Sequence, residues 1–250
     1  MNFLAFQKEF WEKSVTFLPS LVDPSLISAV KLYLDDYESS IISKYSLDKR
    51  RLVTEQVYGS RLIKYFELPL TENFQLFGQF INNTILNTVS TIMRQDINLV
   101  SLEVHSRNPG GSHIPLHQDN AYYGLVQANA CTLFIPLTVS YMGNLRYISN
   151  SPETFYEHER SNANAFSLQV SHQKLKKREF VGREVIENHQ LGGAFLHHAH
   201  SVHFANNVPK NASRVWAVRL TFFGTNTVLK EGHAKWYSQM VSENRSHARL

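Results

Sequence analysis

Gly192-Gly-Ala-Phe-Leu-His-His-Ala-His-Ser-Val-His203, continued by Asn211-Ala-Ser-Arg-Val-Trp-Ala-Val-Arg-Leu-Thr-Phe-Phe223, is the most informative stretch of this 250-residue sequence. Its two apolar runs, Ala194–His198 and Val215–Phe223, have the length and composition of β-strands, and two glycines mark a turn before the first. Runs of the same kind precede it at Leu99–His105, Cys131–Val139, Leu145–Ile148 and Glu179–Ile186. This pattern, from Ile97 onward, predicts a β-barrel or β-sandwich.

The first hundred residues have a different texture. Apolar residues recur every three to four positions in Ser25–Tyr45 and Thr71–Met93, which predicts helices. Neither a repeat nor a low-complexity linker separates the two halves. We therefore expect one domain over residues 1–250, of the α+β or mainly β class. Residues 1–96 would form helices packed on one side of a β core at 97–224, and residues 225–250 would form a tail with at most one more helix.

Composition excludes several classes of protein. Lys and Arg number 25 against 21 Asp and Glu without a dense basic run, so a nucleic-acid partner is not indicated. No stretch approaches the roughly 20 apolar residues of a membrane span, and Lys8 interrupts the only apolar patch near the N-terminus. A lone cysteine, Cys131, excludes an internal disulfide and a thiolate-rich zinc site. We expect a cytoplasmic protein.

The triplet His117-Gln118-Asp119 is the first candidate site. Residues two apart on an extended strand point the same way, so this imidazole and this carboxylate can face one metal ion together. A His-x-Asp triplet is common by chance, and other parts of the chain must supply the remaining evidence.

The second segment supplies it. In this segment about eleven residues lead from a glycine to a histidine, and eleven more lead to Arg214 at the start of a strand. This spacing resembles the distal half of the phytanoyl-CoA dioxygenase family. His117-Gln118-Asp119 is similar to that family's proximal half. The resemblance covers about residues 10–224, and it includes a strand and helix in Phe10–Tyr37 and paired strands around Thr132–Leu137 and Gly143-Asn144-Leu145.

The resemblance implies a double-stranded β-helix, a jelly-roll or cupin-like fold, with His117, Asp119 and His203 as the ligands of Fe(II). Two histidines and one carboxylate leave three positions of the iron for 2-oxoglutarate and dioxygen. Arg214 would hold the far carboxylate of 2-oxoglutarate, because a guanidinium pairs with a carboxylate through two parallel bonds. Thr132 could add a hydroxyl bond, and Arg219 is a secondary candidate for the carboxylate.

The implied reaction is hydroxylation of an unactivated C–H bond of a small polar metabolite, with release of succinate and carbon dioxide. Asp119 disfavours halogenation, because halogenating relatives replace this carboxylate with a small residue. Desaturation and ring formation stay open. Two other functions also stay open: a protein or peptide hydroxylase of the same chemistry, and a barrel that binds a ligand without turnover.

The choice of the distal histidine is not settled by alternation alone. On a strand, His198 and His200 share one face while His197 and His203 share the other. The intervals to the glycine and to Arg214 favour His203, with His200 as the alternative. The family often carries a serine two residues beyond its metal histidine, whereas this chain has Ala205. A zinc site is the alternative metal centre, although the absence of a nearby cysteine favours an open iron site.

Candidate substrate contacts come from the helical part, the strand before the triplet and the loop after it. They are Tyr58, Arg61, Glu103, His105, Arg107, Asn120, Tyr122 and Tyr123. Glu103 and His105 would share a strand face, and Arg107 would continue that face and could bind an anionic group. Mixed acidic, basic and aromatic groups suit a small polar or zwitterionic substrate better than a long acyl chain.

Overall fold

The computed structural model describes residues 2–44, 54–57, 60–63, 73–139, 143–161, 168–177, 179–188, 190–233 and 235, with the backbone alone at 38–44, 54–57 and 60–63. Tyr58, the side chain of Arg61 and most of the tail beyond 225 therefore lie outside the described residues. No helix within these ranges is long and apolar enough to cross a membrane.

The first part of the chain is mainly helical, and the second part is rich in β-strands. In chain order they are α1 (Phe3–Lys13), β1 (Val15–Leu18), α2 (Pro24–Lys44), β2 (Thr54–Val57), β3 (Ser60–Ile63), α3 (Phe74–Phe77), a 3-10 helix (Gly78–Phe80), α4 (Asn83–Met93), β4 (Ile97–Arg107), β5 (Ile114–His117), α5 (Asn120–Tyr123), β6 (Ala130–Pro136), β7 (Arg146–Ile148), β8 (His158–Arg160), β9 (Leu168–Val170), α6 (His172–Lys176), β10 (Val185–Ile186), β11 (Ala194–His198), β12 (Val202–Ala205) and β13 (Val215–Gly224).

Two antiparallel sheets form the β core of the described residues. The larger sheet has the strand order β1-β11-β6-β13-β4, and the smaller has the order β10-β7-β12-β5. From β4 to β7 and again from β11 to β13, successive core strands alternate between the two sheets. This alternation winds the chain into a double-stranded β-helix, which confirms the jelly-roll prediction.

The helices cover the outer face of the larger sheet, as predicted. Side chains alternate along β13: Trp216, Val218 and Leu220 join the helix-side core, whereas Ala217 and Arg219 face the barrel interior. The helix-side core includes Phe10, Ile27, Leu34, Val89 and Leu133, all of them fully or almost fully buried. The larger sheet therefore separates an apolar layer from an interior that can carry polar groups.

Some predicted elements differ from the observed ones. The helix predicted over Thr71–Met93 is divided into α3, the 3-10 helix and α4, because the Asn82 side chain accepts a hydrogen bond from the Ile85 amide at 3.0 Å and caps α4. The strand predicted over Glu179–Ile186 is reduced to β10. The strand and helix implied within Phe10–Tyr37 are present as β1 and α2.

Candidate metal centre

His117 and His203 lie side by side on the smaller sheet. His117 ends β5, and the backbone register of β5 and β12 places it directly opposite His203. Their rings are 4.1 Å apart between centroids. Asp119 follows two residues after His117 at the start of α5, and all three side chains are buried. The structure thus brings together the three residues that the sequence predicted as a ligand set.

The ligand atoms of this triad converge on one point. Asp119 Oδ1 lies 3.8 Å from His117 Nε2 and 3.6 Å from His203 Nε2. Two atoms that each bind one ion at about 2.1 Å lie no more than about 4.2 Å apart, so both distances fit a shared ion. The set of two imidazoles and one carboxylate matches the donors that open iron(II) sites use.

Backbone carbonyls fix the tautomer of both histidines. His117 Nδ1 lies 2.8 Å from the carbonyl oxygen of Pro115, and His203 Nδ1 lies 3.0 Å from that of Ser201. A carbonyl only accepts hydrogen bonds, so each Nδ1 carries the proton and donates. Each Nε2 therefore keeps its lone pair, which a metal-binding histidine requires, and lies on the side of the ring near Asp119 Oδ1.

The protonation states also suit a metal. Burial disfavours the charged imidazolium and lowers the pKa of His117 to about 3 and that of His203 to about 4. Burial on its own would raise the pKa of Asp119, but the charge of Arg219 and the hydrogen bond from His197 hold it well below its usual value. At neutral pH the triad therefore consists of two neutral imidazoles and one carboxylate.

The second oxygen of Asp119 is held by four side chains from three strands and α5. Its Oδ2 accepts hydrogen bonds from Thr132 Oγ1 at 3.0 Å, Arg219 Nη2 at 3.0 Å and Tyr123 Oη at 3.1 Å. His197 Nε2 lies 3.1 Å away, and its Nδ1 lies 3.2 Å from Tyr147 Oη. Tyr123 also contacts Thr132 and Arg219. These bonds orient the carboxylate so that its other oxygen, Oδ1, faces His117 and His203.

The prediction that Arg214 lies at this site does not agree with the structure. The Arg214 guanidinium stacks over the Trp216 ring at 4.4 Å and donates to Ser106 Oγ at 3.3 Å. Trp216 belongs to the helix-side core and donates to Asp35 of α2. Arg214 lies two residues before Trp216 and on the same side of the sheet, facing away from the triad. Arg219, the secondary candidate, is the arginine inside the barrel.

Two of the predicted substrate residues have structural roles instead. Arg107 donates to the backbone carbonyls of Gly143, Ser112 and Asn206, so it joins three loops rather than offering a site for an anion. Asn120 bonds to Leu125 through both side-chain atoms. A buried network of this kind stabilises the turn that follows Asp119.

The other predicted contacts within the described residues lie against the triad or on the same face of the larger sheet as Arg219. Tyr122 packs its ring edge-on against His117, and its hydroxyl accepts a hydrogen bond from the Leu168 amide at 2.8 Å. Glu103 and His105 face the barrel interior on β4, 2.8 Å apart. Thr132 and Tyr123 lie on Asp119, as described above, so Tyr123 supports a ligand.

His200, the alternative ligand, is engaged elsewhere. Its Nδ1 lies 2.8 Å from the Pro152 carbonyl oxygen, and its Nε2 lies 3.0 Å from Asn120 Nδ2. His198 packs against the rings of Phe10 and Trp11 of α1. His197, which supports Asp119, was not among the predicted site residues; alternation could not relate it to His203, because the two lie on different strands, β11 and β12.

A C-terminal strap, defined as residues 225–233, supports α5 from outside. The Lys230 amide donates to the Gly124 carbonyl oxygen at 2.7 Å, and His233 Nε2 lies 2.7 Å from the Tyr122 carbonyl oxygen. Gly124 has φ +63°, and a Cβ built on it would lie 2.0 Å from His233 Cγ. Only glycine fits both the left-handed backbone and this close approach. No sequence motif indicated this strap.

Neither a protein-family model nor a curated protein matches this sequence. Among solved structures, AviO1 from Streptomyces viridochromogenes Tue57 superimposes with a TM-score of 0.66 at 13% identity, over 91% of this chain and 97% of that one. SnoN, crystallised with Fe3+, alpha ketoglutarate and nogalamycin RO, gives 0.69 at 11% identity, over 91% and 86%. EctD from S. alaskensis with bound Fe gives 0.68 at 10% identity, over 90% and 77%. At such identities the likeness shows the shared double-stranded β-helix fold.

Replacing His198 with glutamine should reduce the dependence of stability on pH. Burial lowers the pKa of His198 to about 3 in the folded protein, whereas a histidine in the unfolded chain has its ordinary pKa of 6.5. The contribution of neutral His198 to the free energy of unfolding is therefore complete above pH 6.5. It is lost as the pH falls toward 3, because in this range His198 takes up a proton only in the unfolded chain. In metal-free protein, His198→Gln should lower the slope of unfolding free energy against pH by up to about 1.4 kcal/mol per pH unit. Urea unfolding between pH 6.5 and 4.5 measures this slope, and an unchanged slope would contradict a neutral buried His198.

Replacing His233 with alanine should weaken metal binding without unfolding the protein. The change removes the contact to Tyr122, which in turn packs on the ligand His117. Loss of such indirect support for a ligand costs about tenfold in metal affinity, or somewhat less at this distance. Cobalt(II) titration followed by visible absorption measures the affinity, with a substitution of the exposed Lys235, Lys235→Ala, just beyond the strap as the control. If both variants bind cobalt equally well, the strap does not position the triad.

Proposed function

We propose that this protein is an Fe(II)- and 2-oxoglutarate-dependent oxygenase acting on a small molecule. The observation that carries this proposal is the convergence of two neutral histidines, each with its tautomer fixed, on one ionised carboxylate inside a double-stranded β-helix. Bound iron, 2-oxoglutarate and dioxygen would together supply an oxidant for a substrate C–H bond, with release of succinate and carbon dioxide. SnoN and EctD, which have the same fold, were both crystallised with iron.

His117, Asp119 and His203 would hold the iron. Their three donor atoms lie within 4.8 Å of one another, and a set of three ligands would leave other positions of the ion open. The carbonyl oxygens of Pro115 and Ser201 keep both imidazoles in the binding tautomer. The four groups on Asp119 Oδ2 keep that carboxylate ionised and oriented, so the protein would need little rearrangement when the ion binds.

Arg219 would bind the far carboxylate of 2-oxoglutarate. Its side chain lies inside the barrel, and its Nε is buried without a hydrogen-bond partner among the described residues. An unpartnered buried donor is costly, and a carboxylate would satisfy it. The guanidinium stays charged in this environment: burial lowers its pKa, but Asp119, Tyr123 and Glu103 together raise it above the usual value. Arg219 thus replaces Arg214 in the proposed role.

Hydroxylation is the proposed outcome, and the fold also accommodates other reactions. SnoN is an epimerase, and SnoK, which superimposes with a TM-score of 0.66 at 14% identity over 90% of this chain and 85% of that one, is a carbocyclase. The same removal of a substrate hydrogen can therefore precede hydroxyl transfer, inversion or ring closure. Product analysis by mass spectrometry separates these outcomes, because only hydroxylation adds the mass of one oxygen atom to the substrate.

Protein loaded anaerobically with Fe(II) and 2-oxoglutarate should show a weak metal-to-ligand charge-transfer band in the visible spectrum. His203→Ala should abolish the band, because it removes one of three ligands. His200→Ala is the matched control and should keep the band, since both ring nitrogens of His200 contact other protein groups. A band that survives in His203→Ala, or disappears in a correctly folded His200→Ala protein, would falsify the assignment of the triad.

Arg219→Lys should weaken 2-oxoglutarate binding by roughly tenfold or more, the value of a hydrogen bond to a charged group. Lysine keeps a positive charge beside Asp119 but loses the planar fork that pairs with a carboxylate. The visible band, titrated with 2-oxoglutarate at saturating Fe(II), reports the dissociation constant. Arg214→Lys is the control and should change it by less than about twofold, the effect of a residue with no contact to the ligand. The opposite ranking would return the role to Arg214.

A further inference from the structure

Glu103 places a second carboxylate beside the arginine of the barrel interior. It lies on β4, and the register of β4 and β13 pairs it with Arg219. Glu103 Oε2 lies 2.8 Å from His105 Nε2 and 3.9 Å from Arg219 Nη1. The Glu103 side chain is 34% exposed, whereas that of Asp119 is 4% exposed. Glu103 is therefore both inside the β-helix and accessible from solvent.

Glu103 is charged across the physiological pH range. Burial on its own would raise its pKa, but the hydrogen bond with His105 and the charge of Arg219 lower it to about 2. An ionised carboxylate only accepts hydrogen bonds, so His105 Nε2 carries the proton of this contact. The pair presents a fixed negative group, with an imidazole on one side that limits its orientation.

The charge on Arg219 does not neutralise both carboxylates. Arg219 lies closer to Asp119, at 3.0 Å, than to Glu103, at 3.9 Å. Within the part of the chain that the structure describes, Asp119 and Glu103 together exceed the Arg219 guanidinium by one negative charge. A divalent iron and the 2-oxoglutarate dianion cancel one another, so this excess would be the same in the loaded site. A partly buried site with such an excess favours a cationic ligand.

We propose that Glu103, oriented by His105, binds a cationic amine of the substrate. This inference rests on the proposed function and names the class of substrate: a small molecule with an ammonium group a few bonds away from the carbon that is oxidised. One guanidinium contacts both Glu103 and the ligand Asp119, so the two carboxylates lie within the width of one arginine side chain. An amine held by Glu103 would place the neighbouring carbons of the substrate on the side of the triad.

The test compares three probes of nearly equal size and different charge: n-butylammonium, n-butanol and butyrate. Binding is measured by ligand-observed NMR at low ionic strength. We expect n-butylammonium to bind about fivefold to tenfold more tightly than n-butanol, the effect of one charge-assisted hydrogen bond at a partly exposed site. The preference should decrease in 0.5 M salt, because salt screens exposed charges.

Glu103→Gln should abolish the preference for n-butylammonium, since glutamine has the same shape without the charge. Glu184→Gln is the matched control: Glu184 also pairs with a cation, Lys13, but it lies outside the barrel. The proposal is overturned if n-butylammonium and n-butanol bind equally, if the preference survives in Glu103→Gln, or if butyrate binds best. The last result would assign an anionic substrate group to Arg219.

Failure of this inference and failure of the proposed function give different results. The excess negative charge is present with and without iron and 2-oxoglutarate, so the probes are tested on metal-free and on anaerobically loaded protein. A missing charge-transfer band together with a preference for n-butylammonium would remove the oxygenase and keep the cation site. A normal band without that preference would keep the oxygenase and remove the amine substrate.

Discussion

The buried, ionised carboxylate of Asp119 is the constraint on which the rest of the structure depends. A buried charge costs several kcal/mol unless it is paired and hydrogen-bonded. Here its Oδ2 is bonded to Arg219 from β13, Thr132 from β6, His197 from β11 and Tyr123 from α5. Its Oδ1 faces the two histidines of the smaller sheet. One side chain thus joins both sheets of the β-helix, and the same set of bonds would orient it for the proposed metal ion.

The β-rich runs predicted a barrel or sandwich, and the resemblance to the phytanoyl-CoA dioxygenase family implied the double-stranded β-helix and the set of His117, Asp119 and His203. Alternation along β13 also indicated that Arg214 and Arg219 lie on opposite faces. Positions 216, 218 and 220 form an apolar series, whereas positions 217, 219 and 221 do not. The interval between histidine and arginine in the phytanoyl-CoA dioxygenase family favoured Arg214 instead. The register that pairs His203 with His117 could not be predicted, because it depends on the packing of more than eighty intervening residues.

The roles of the side chains around the triad also could not be predicted from local sequence. Arg107, Asn120 and Tyr123 have the composition of a binding pocket, but their hydrogen bonds are to loops, to a turn and to the Asp119 carboxylate. Their roles follow from tertiary contacts that no local pattern contains. Glu103 and His105 keep an accessible surface within the barrel, so the discrimination between substrates is proposed to lie on β4 rather than on the loops.

Anomalous diffraction from crystals grown anaerobically with Fe(II) and 2-oxoglutarate would test the central claim most directly. Data collected on either side of the iron absorption edge locate the metal independently of any assumed ligand. We expect one iron peak about 2.1 Å from His117 Nε2, His203 Nε2 and Asp119 Oδ1, the ordinary length of a bond between metal and imidazole. An ion bound by His197 or His200 instead, or a triad without iron while 2-oxoglutarate binds elsewhere, would contradict it.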